Sequence, residues 1–74
     1  MSATLAELVR SRRLLLGLSQ EDLARRCDFR VKVIVRLEGG LTKNPHRATL
    51  ASLARGLDLS LQQLIEAPAS KSGA

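Results

Sequence analysis

Between Gln20 and Gly39 the chain reads QEDLARRCDFRVKVIVRLEG, and Leu23, Ala24, Asp28, Phe29, Ile34 and Leu37 fall at the spacing of two short helices crossing around a tight turn. This run constrains the fold more than any other. Ser19 can cap a helix with its hydroxyl, Asp22 three residues later approximates the return partner of a capping box, and Glu21 suits the helix dipole. A helix is therefore expected from Gln20. Leu23, Ala24 and Cys27 make its apolar stripe and leave Glu21, Asp22, Arg25 and Arg26 to solvent. The methyl of Ala24 admits a second helix at short range. Asp28 tolerates the left-handed backbone that reverses the chain, and Phe29 returns to the core. A second helix is expected from about Arg30 to Glu38, ended by Gly39 and Gly40. The β-branched run from Val31 to Val35 suits a strand on propensity alone, but its flanking signals and the Ile34/Leu37 spacing favour helix.

The flanking segments extend the helical pattern. Leu5, Leu8, Val9, Leu14, Leu16 and Leu18 form an apolar first helix and junction, while Leu50, Leu53, Ala54 and Leu57 form a stripe on a fourth helix that starts near Thr49. Asp58 or Ser60 can cap a last helix carrying Leu61, Leu64 and Ile65. Pro68 stops that helix before a small polar tail. With 45% apolar residues but a single aromatic, a chain of 74 residues must build its core from Leu, Val, Ile and Ala. That suits an all-α fold of short helices. One domain is expected over residues 1–67, with a flexible C-terminal tail over 68–74. The longest apolar run, at Leu14 to Leu16, is too short to cross a bilayer, and Met1-Ser2-Ala3 begins no signal peptide. The expectation is a cytoplasmic protein with no membrane partner.

The run Gly17-Leu18-Ser19-Gln20-Glu21-Asp22-Leu23-Ala24 resembles the opening motif of the Cro and phage-repressor type of helix-turn-helix, the Xre family. The resemblance continues through Ile34, Leu37, Glu38 and Gly40, then Pro45, Thr49, Leu50, Leu53, Ala54, Leu57, Leu59 and Leu64. It implies a compact five-helix bundle of the lambda-repressor-like kind that binds DNA. It also implies that Gln20 contacts a phosphate, as do residues of the loop after the recognition helix, which Lys43, Asn44 and Arg47 match. That loop is one residue longer here than in the common family form, between Gly40 and Pro45. Glu38 lies at a helix C-terminus, where a carboxylate opposes the dipole unless a cation meets it. Arg13 is the candidate partner and Arg10 the alternative; the family pairs an arginine of the first helix with this glutamate, bracing that helix against the recognition helix.

Charge points the same way. The net charge is +5 and the pI near 10.7, with Arg10, Arg12, Arg13, Arg25, Arg26, Arg30, Lys32 and Arg36 all in the first half. A polyanion is the natural ligand, although a solvated basic face is the ordinary alternative. The scarcity of aromatics argues against stacking on single strands and leaves groove insertion into double-stranded DNA. With Ile34 and Leu37 inward, Arg30, Val31, Lys32, Val35 and Arg36 are the candidates for base readout. The basic side chains suit guanine edges or phosphates and the valines suit thymine methyls. Val33 is ambiguous. The family usually carries polar residues or Arg where Arg30, Val31, Val33 and Val35 stand, so the valines are a departure. Partial burial or contact with a protein partner is the other reading for them. Leu15, Leu61, Leu64 and Ile65 exceed what so small a bundle easily buries. A homodimer is expected through Leu61, Leu64 and Ile65, since the family often pairs through its last helix. The alternative is that these residues close the monomer core.

Other chemistry finds little support. The acidic residues are scattered, no Ser-His-Asp or Cys-His arrangement is evident, and short helices offer no deep pocket, so no enzymatic activity is expected. Cys27 reads as a reduced core residue in preference to a redox sensor. His46 lacks companion ligands, so neither a metal site nor a cofactor is expected, and contact with phosphate or solvent suits it better. The segment from Gly39 to Lys43 lacks the spacing of a nucleotide-binding loop. These readings lead to a sequence-specific transcriptional regulator, a small dimeric repressor or controller that inserts the 30–38 helix in the major groove. The alternatives are a protein–protein interaction module on the same fold, or the DNA-binding antitoxin component of a toxin–antitoxin pair.

Overall fold

A computed structural model describes residues 4–42 and 45–67. Lys43, Asn44 and the tail expected over 68–74 lie outside the described residues. The five helices are α1 (Leu5–Leu15), α2 (Gln20–Cys27), α3 (Val31–Glu38), α4 (Arg47–Leu57) and α5 (Leu61–Glu66). Three of them begin in a reciprocal capping box, formed by Thr4 with Glu7, Ser19 with Asp22, and Ser60 with Gln63. Each box satisfies backbone donors that a short helix would otherwise leave without partners. Asp28 and Asp58 end α2 and α4 in the left-handed conformation, at φ 59° and φ 58°. There the N–H groups of Phe29 and Leu59 reach back to the carbonyls of Ala24 and Ala54.

Helix α2 packs on α3 and α4, α1 packs on α3 and α4, and α5 packs on α4. Leu23, Ile34, Leu53, Leu57, Leu64 and Val9 are the large side chains fully buried at their meeting point. Each such burial contributes roughly 1.5–3 kcal/mol against leaving the side chain in water. Helices α2 and α4 meet at Gly56. A Cβ placed on Gly56 would stand 2.5 Å from Cys27 Sγ, so only glycine lets the two backbones come this near.

Helix α3 starts at Val31, with Arg30 as its N-cap. Helix α4 starts at Arg47 with His46 as N-cap, so Thr49 lies in its first turn, near the start as expected. Ser60 caps α5, while Asp58 closes α4. Leu14 and Leu16 do not join the core, because both face outward at the end of α1. Leu64 does not lie on an exposed interface: it is 1% accessible, buried on its own chain where α5 packs against α4. Leu61 is half-buried against the same core, and Ile65 remains 39% exposed.

Candidate nucleic-acid interface

Helix α3 is fixed from within by Ile34 and Leu37, and Val33 is partly buried against the core. Helical geometry then turns positions 32, 35 and 36 to the opposite side and leaves Val31 on the flank, one turn before Val35. Val31 and Val35 are 40% and 48% exposed, and Lys32 and Arg36 are exposed beside them. The result is an exposed surface with two cations and two valines one turn apart. Arg30 is exposed at the N-cap and makes no side-chain capping bond. The same holds for His46 at the start of α4, where the exposed Arg47 is the first helical residue. The amino ends of α3 and α4 thus lack the side-chain caps that the other three helices carry, and their partial positive charge is open to an anion.

The arginine-rich first half divides into structural and free cations. Arg13 donates from Nε to Glu38 Oε2 at 2.6 Å, from Nη2 to Glu38 Oε1 at 3.0 Å and from Nη1 to the Leu18 carbonyl at 2.9 Å. Hydrogen bonding to Glu38 pushes the guanidinium above its ordinary pKa, against the opposing effect of burial. Arg10, the alternative partner, does not pair with Glu38. Gln20 does: its Nε2 donates to Glu38 Oε1 at 3.2 Å. The side chain expected to meet a phosphate is thus held by a carboxylate of its own chain.

Arg12 and Arg26, expected among the cations that meet a polyanion, are both used within the fold. Arg12 Nε donates to the Leu57 carbonyl at 2.9 Å and Nη2 to that of Asp58 at 3.3 Å, while Arg26 Nε donates to the Gly56 carbonyl at 3.0 Å. Two guanidinium groups so neutralise the carbonyl end of α4. No local pattern announces this, because the partners lie 30 to 46 residues away. Arg25 reaches Asp22 at 3.5 Å on the surface. Among the described residues, Arg10, Arg30, Lys32, Arg36, Arg47 and Arg55 make no side-chain hydrogen bond or ion pair and are free to meet an external anion.

Cys27 is buried against Gly56, and burial pushes its thiol up, with Arg26 and Arg55 partly offsetting this. Among the described residues no group of three His, Cys, Asp or Glu side chains is placed to hold a metal ion. None of the described helices is long and apolar enough to cross a membrane.

A helix-turn-helix family model matches residues 9–64. Among solved structures, a chain of a SinR protein/SinI protein complex is similar with a TM-score of 0.78 and 22% identity, over 85% of this chain and 61% of that one. At that identity the likeness concerns the fold. A hypothetical transcription factor, NHTF, from Neisseria is similar with a TM-score of 0.78 and 30% identity, over 89% of this chain and 75% of that one. This chain therefore spans less than two thirds of the SinR/SinI chain and three quarters of the Neisseria one. No curated protein sequence matches it.

Proposed function

The chain belongs to the Cro- and repressor-type helix-turn-helix family, a family of DNA-binding domains and not of enzymes, and from that premise we propose that it is a sequence-specific transcriptional regulator. In this reading α3 enters the major groove of double-stranded DNA. The observation that carries it is the outward face of α3, where Lys32 and Arg36 stand free beside Val31 and Val35 while the buried Ile34 and Leu37 seat the helix on the core. Lys32 and Arg36 suit guanine edges, the valines suit thymine methyls, and Arg30 at the N-cap suits a base or a flanking phosphate. Arg47 and the uncapped amino end of α4 suit the backbone. Lys43 and Asn44 belong to the same proposed phosphate-binding loop. For Gln20, the bond to Glu38 favours contact through its backbone N–H.

A regulator of this kind works where the DNA is, in the cytoplasm, and a small repressor or controller reading a two-fold site would act as a homodimer. Ile65 and the exposed edge of Leu61 support α5 as the pairing surface. Half-sites would then stand about one helical turn, roughly 34 Å, apart. A second reading, as a protein-binding module, is favoured by the exposure of Val31 and Val35 together with that of Leu41, which is 70% exposed just beyond α3.

Selection of random duplex DNA, followed by titration of the enriched sequence at two salt concentrations, tests both. A palindromic consensus bound with steep salt dependence is the expected result, because neutralised phosphates release counterions. Weak binding without a consensus would shift the assignment to the protein-binding reading. Equal affinity of the wild type and an Arg30/Lys32/Arg36 triple-alanine variant would remove α3 as the reading helix.

A further inference from the structure

Beside α3 lies a cleft of about 410 Å³, lined by Arg10, Arg13, Gln20, Val35, Glu38 and Gly39. Its charges are unequally matched. Arg13 and Glu38 neutralise each other through two hydrogen bonds, and Gln20 takes up a further acceptor position on the same carboxylate. The side chain of Glu38 is only 6% exposed, so little of its charge faces an incoming ligand. Arg10 is exposed, one turn before Arg13 on α1, and has no hydrogen-bond or ion-pair partner among the described residues. It supplies the uncompensated charge of the lining. Gln20 adds a second donor, because the backbone N–H of this first residue of α2 has no acceptor among the described residues. Val35, on another wall, belongs to the outward face of α3 that carries Lys32 and Arg36.

We infer that this cleft is a phosphodiester site, in which Arg10 grips one backbone phosphate of duplex DNA beside the groove that α3 occupies. The inference rests on the DNA-binding reading and deepens it. A guanidinium offers a planar fork suited to two phosphate oxygens, and a phosphate held here would fix how α3 sits in the groove without reading sequence. The side chain of Arg13 is poorly placed for this, since it is only 10% exposed and each of its three nitrogens already donates to Glu38 or to the Leu18 carbonyl. The division of labour along α1 is between one arginine that braces the fold and one, a turn away, that faces the ligand.

The test compares the wild type with Arg10→Ala, Arg10→Gln and Arg10→Lys on the selected duplex and on a scrambled duplex of equal length, with thermal melting of each protein as the control for folding. Arg10→Ala and Arg10→Gln should weaken binding to both duplexes by the same factor. Each should also reduce the slope of log affinity against log salt by about 0.9, so that between about 50 and 200 mM salt the wild type loses about three to four times more affinity than the variant. Arg10→Lys should keep the slope. If the wild type binds and the neutral variants match it in affinity and slope, or lose affinity on the selected duplex alone, the site is overturned while the DNA-binding reading stands. A wild type that binds neither duplex overturns both.

Discussion

Arg13 and Glu38 join the last turn of α1 to the last turn of α3 through two parallel hydrogen bonds, at 2.6 and 3.0 Å, with side chains that are 10% and 6% exposed. The fork geometry is particular to arginine. Replacing either partner leaves the other charge shielded from water, so Arg13→Ala should destabilise the domain by about 3 kcal/mol. The Arg13→Met/Glu38→Leu double variant should recover most of that loss. Urea denaturation of Arg13→Met, Glu38→Leu and the double variant checks the cycle, and additive losses would mean that the two side chains act separately.

Gly56 yields a prediction with a change of sign. In an open helix Gly→Ala stabilises by about 1 kcal/mol, but here the new methyl would meet Cys27 Sγ at 2.5 Å and Leu23 Cδ1 at 3.4 Å. Gly56→Ala alone should therefore destabilise by roughly 1–3 kcal/mol. Placed on a Cys27→Ala background, where the sulfur is gone, the same substitution should become neutral or stabilising. Thermal melting of the four proteins reads the coupling directly.

Much of the helix-turn-helix was legible in the sequence because its determinants are local. Ser19 caps a helix three residues before Asp22, and Asp28 takes the left-handed turn that its side chain tolerates. The roles of Arg12, Arg26 and Gly56 were not legible. Their partners are distant in the chain, and one arginine in a basic helix looks like the next until the fold aims it at a carbonyl. The position of Leu64 was hidden for a related reason. Amphipathic spacing identifies an apolar stripe but not whether it meets its own chain or a copy.

Separating the cations by role gives a second contrast. Arg26→Ala should lower stability by about 1.5–3 kcal/mol, because it removes a charged hydrogen bond to the end of α4. It should leave the salt dependence of DNA binding unchanged at temperatures where the variant is folded. Arg36→Ala, on the exposed face of α3, should keep the melting temperature. If Arg36 reads a base, the loss of about 1–3 kcal/mol of binding should fall mainly on the selected sequence. Melting curves and titrations on selected and scrambled duplexes separate the two behaviours.

Cys27 should be inert in the native state. Its thiol is buried and held above the ordinary range by desolvation. Iodoacetamide at about pH 8.5, near the ordinary thiol pKa, should label it only after denaturation. The folded pKa exceeds the unfolded one, so this group's contribution to stability is fully present below the unfolded value and is lost as pH rises through the folded one. Cys27→Ala should flatten that alkaline decline, measured by urea denaturation across pH.

Helix α5 offers the clearest test of self-association, because adjacent residues on it face different surroundings. Leu64 is buried on its own chain and Ile65 is 39% exposed. Leu64→Ala should cost about 2–5 kcal/mol of stability whatever the oligomeric state, since it opens a cavity where α5 packs on α4. Ile65→Lys should change the fold little but place a charge in the middle of any α5 pairing surface. If the protein pairs through α5, sedimentation should show a dimer for the wild type and a monomer for Ile65→Lys. Affinity for a two-fold duplex should then drop while affinity for a half-site holds. A dimer that survives Ile65→Lys would place the pairing surface elsewhere, and the exposed Leu14 and Leu15 at the end of α1 would be the next positions to substitute.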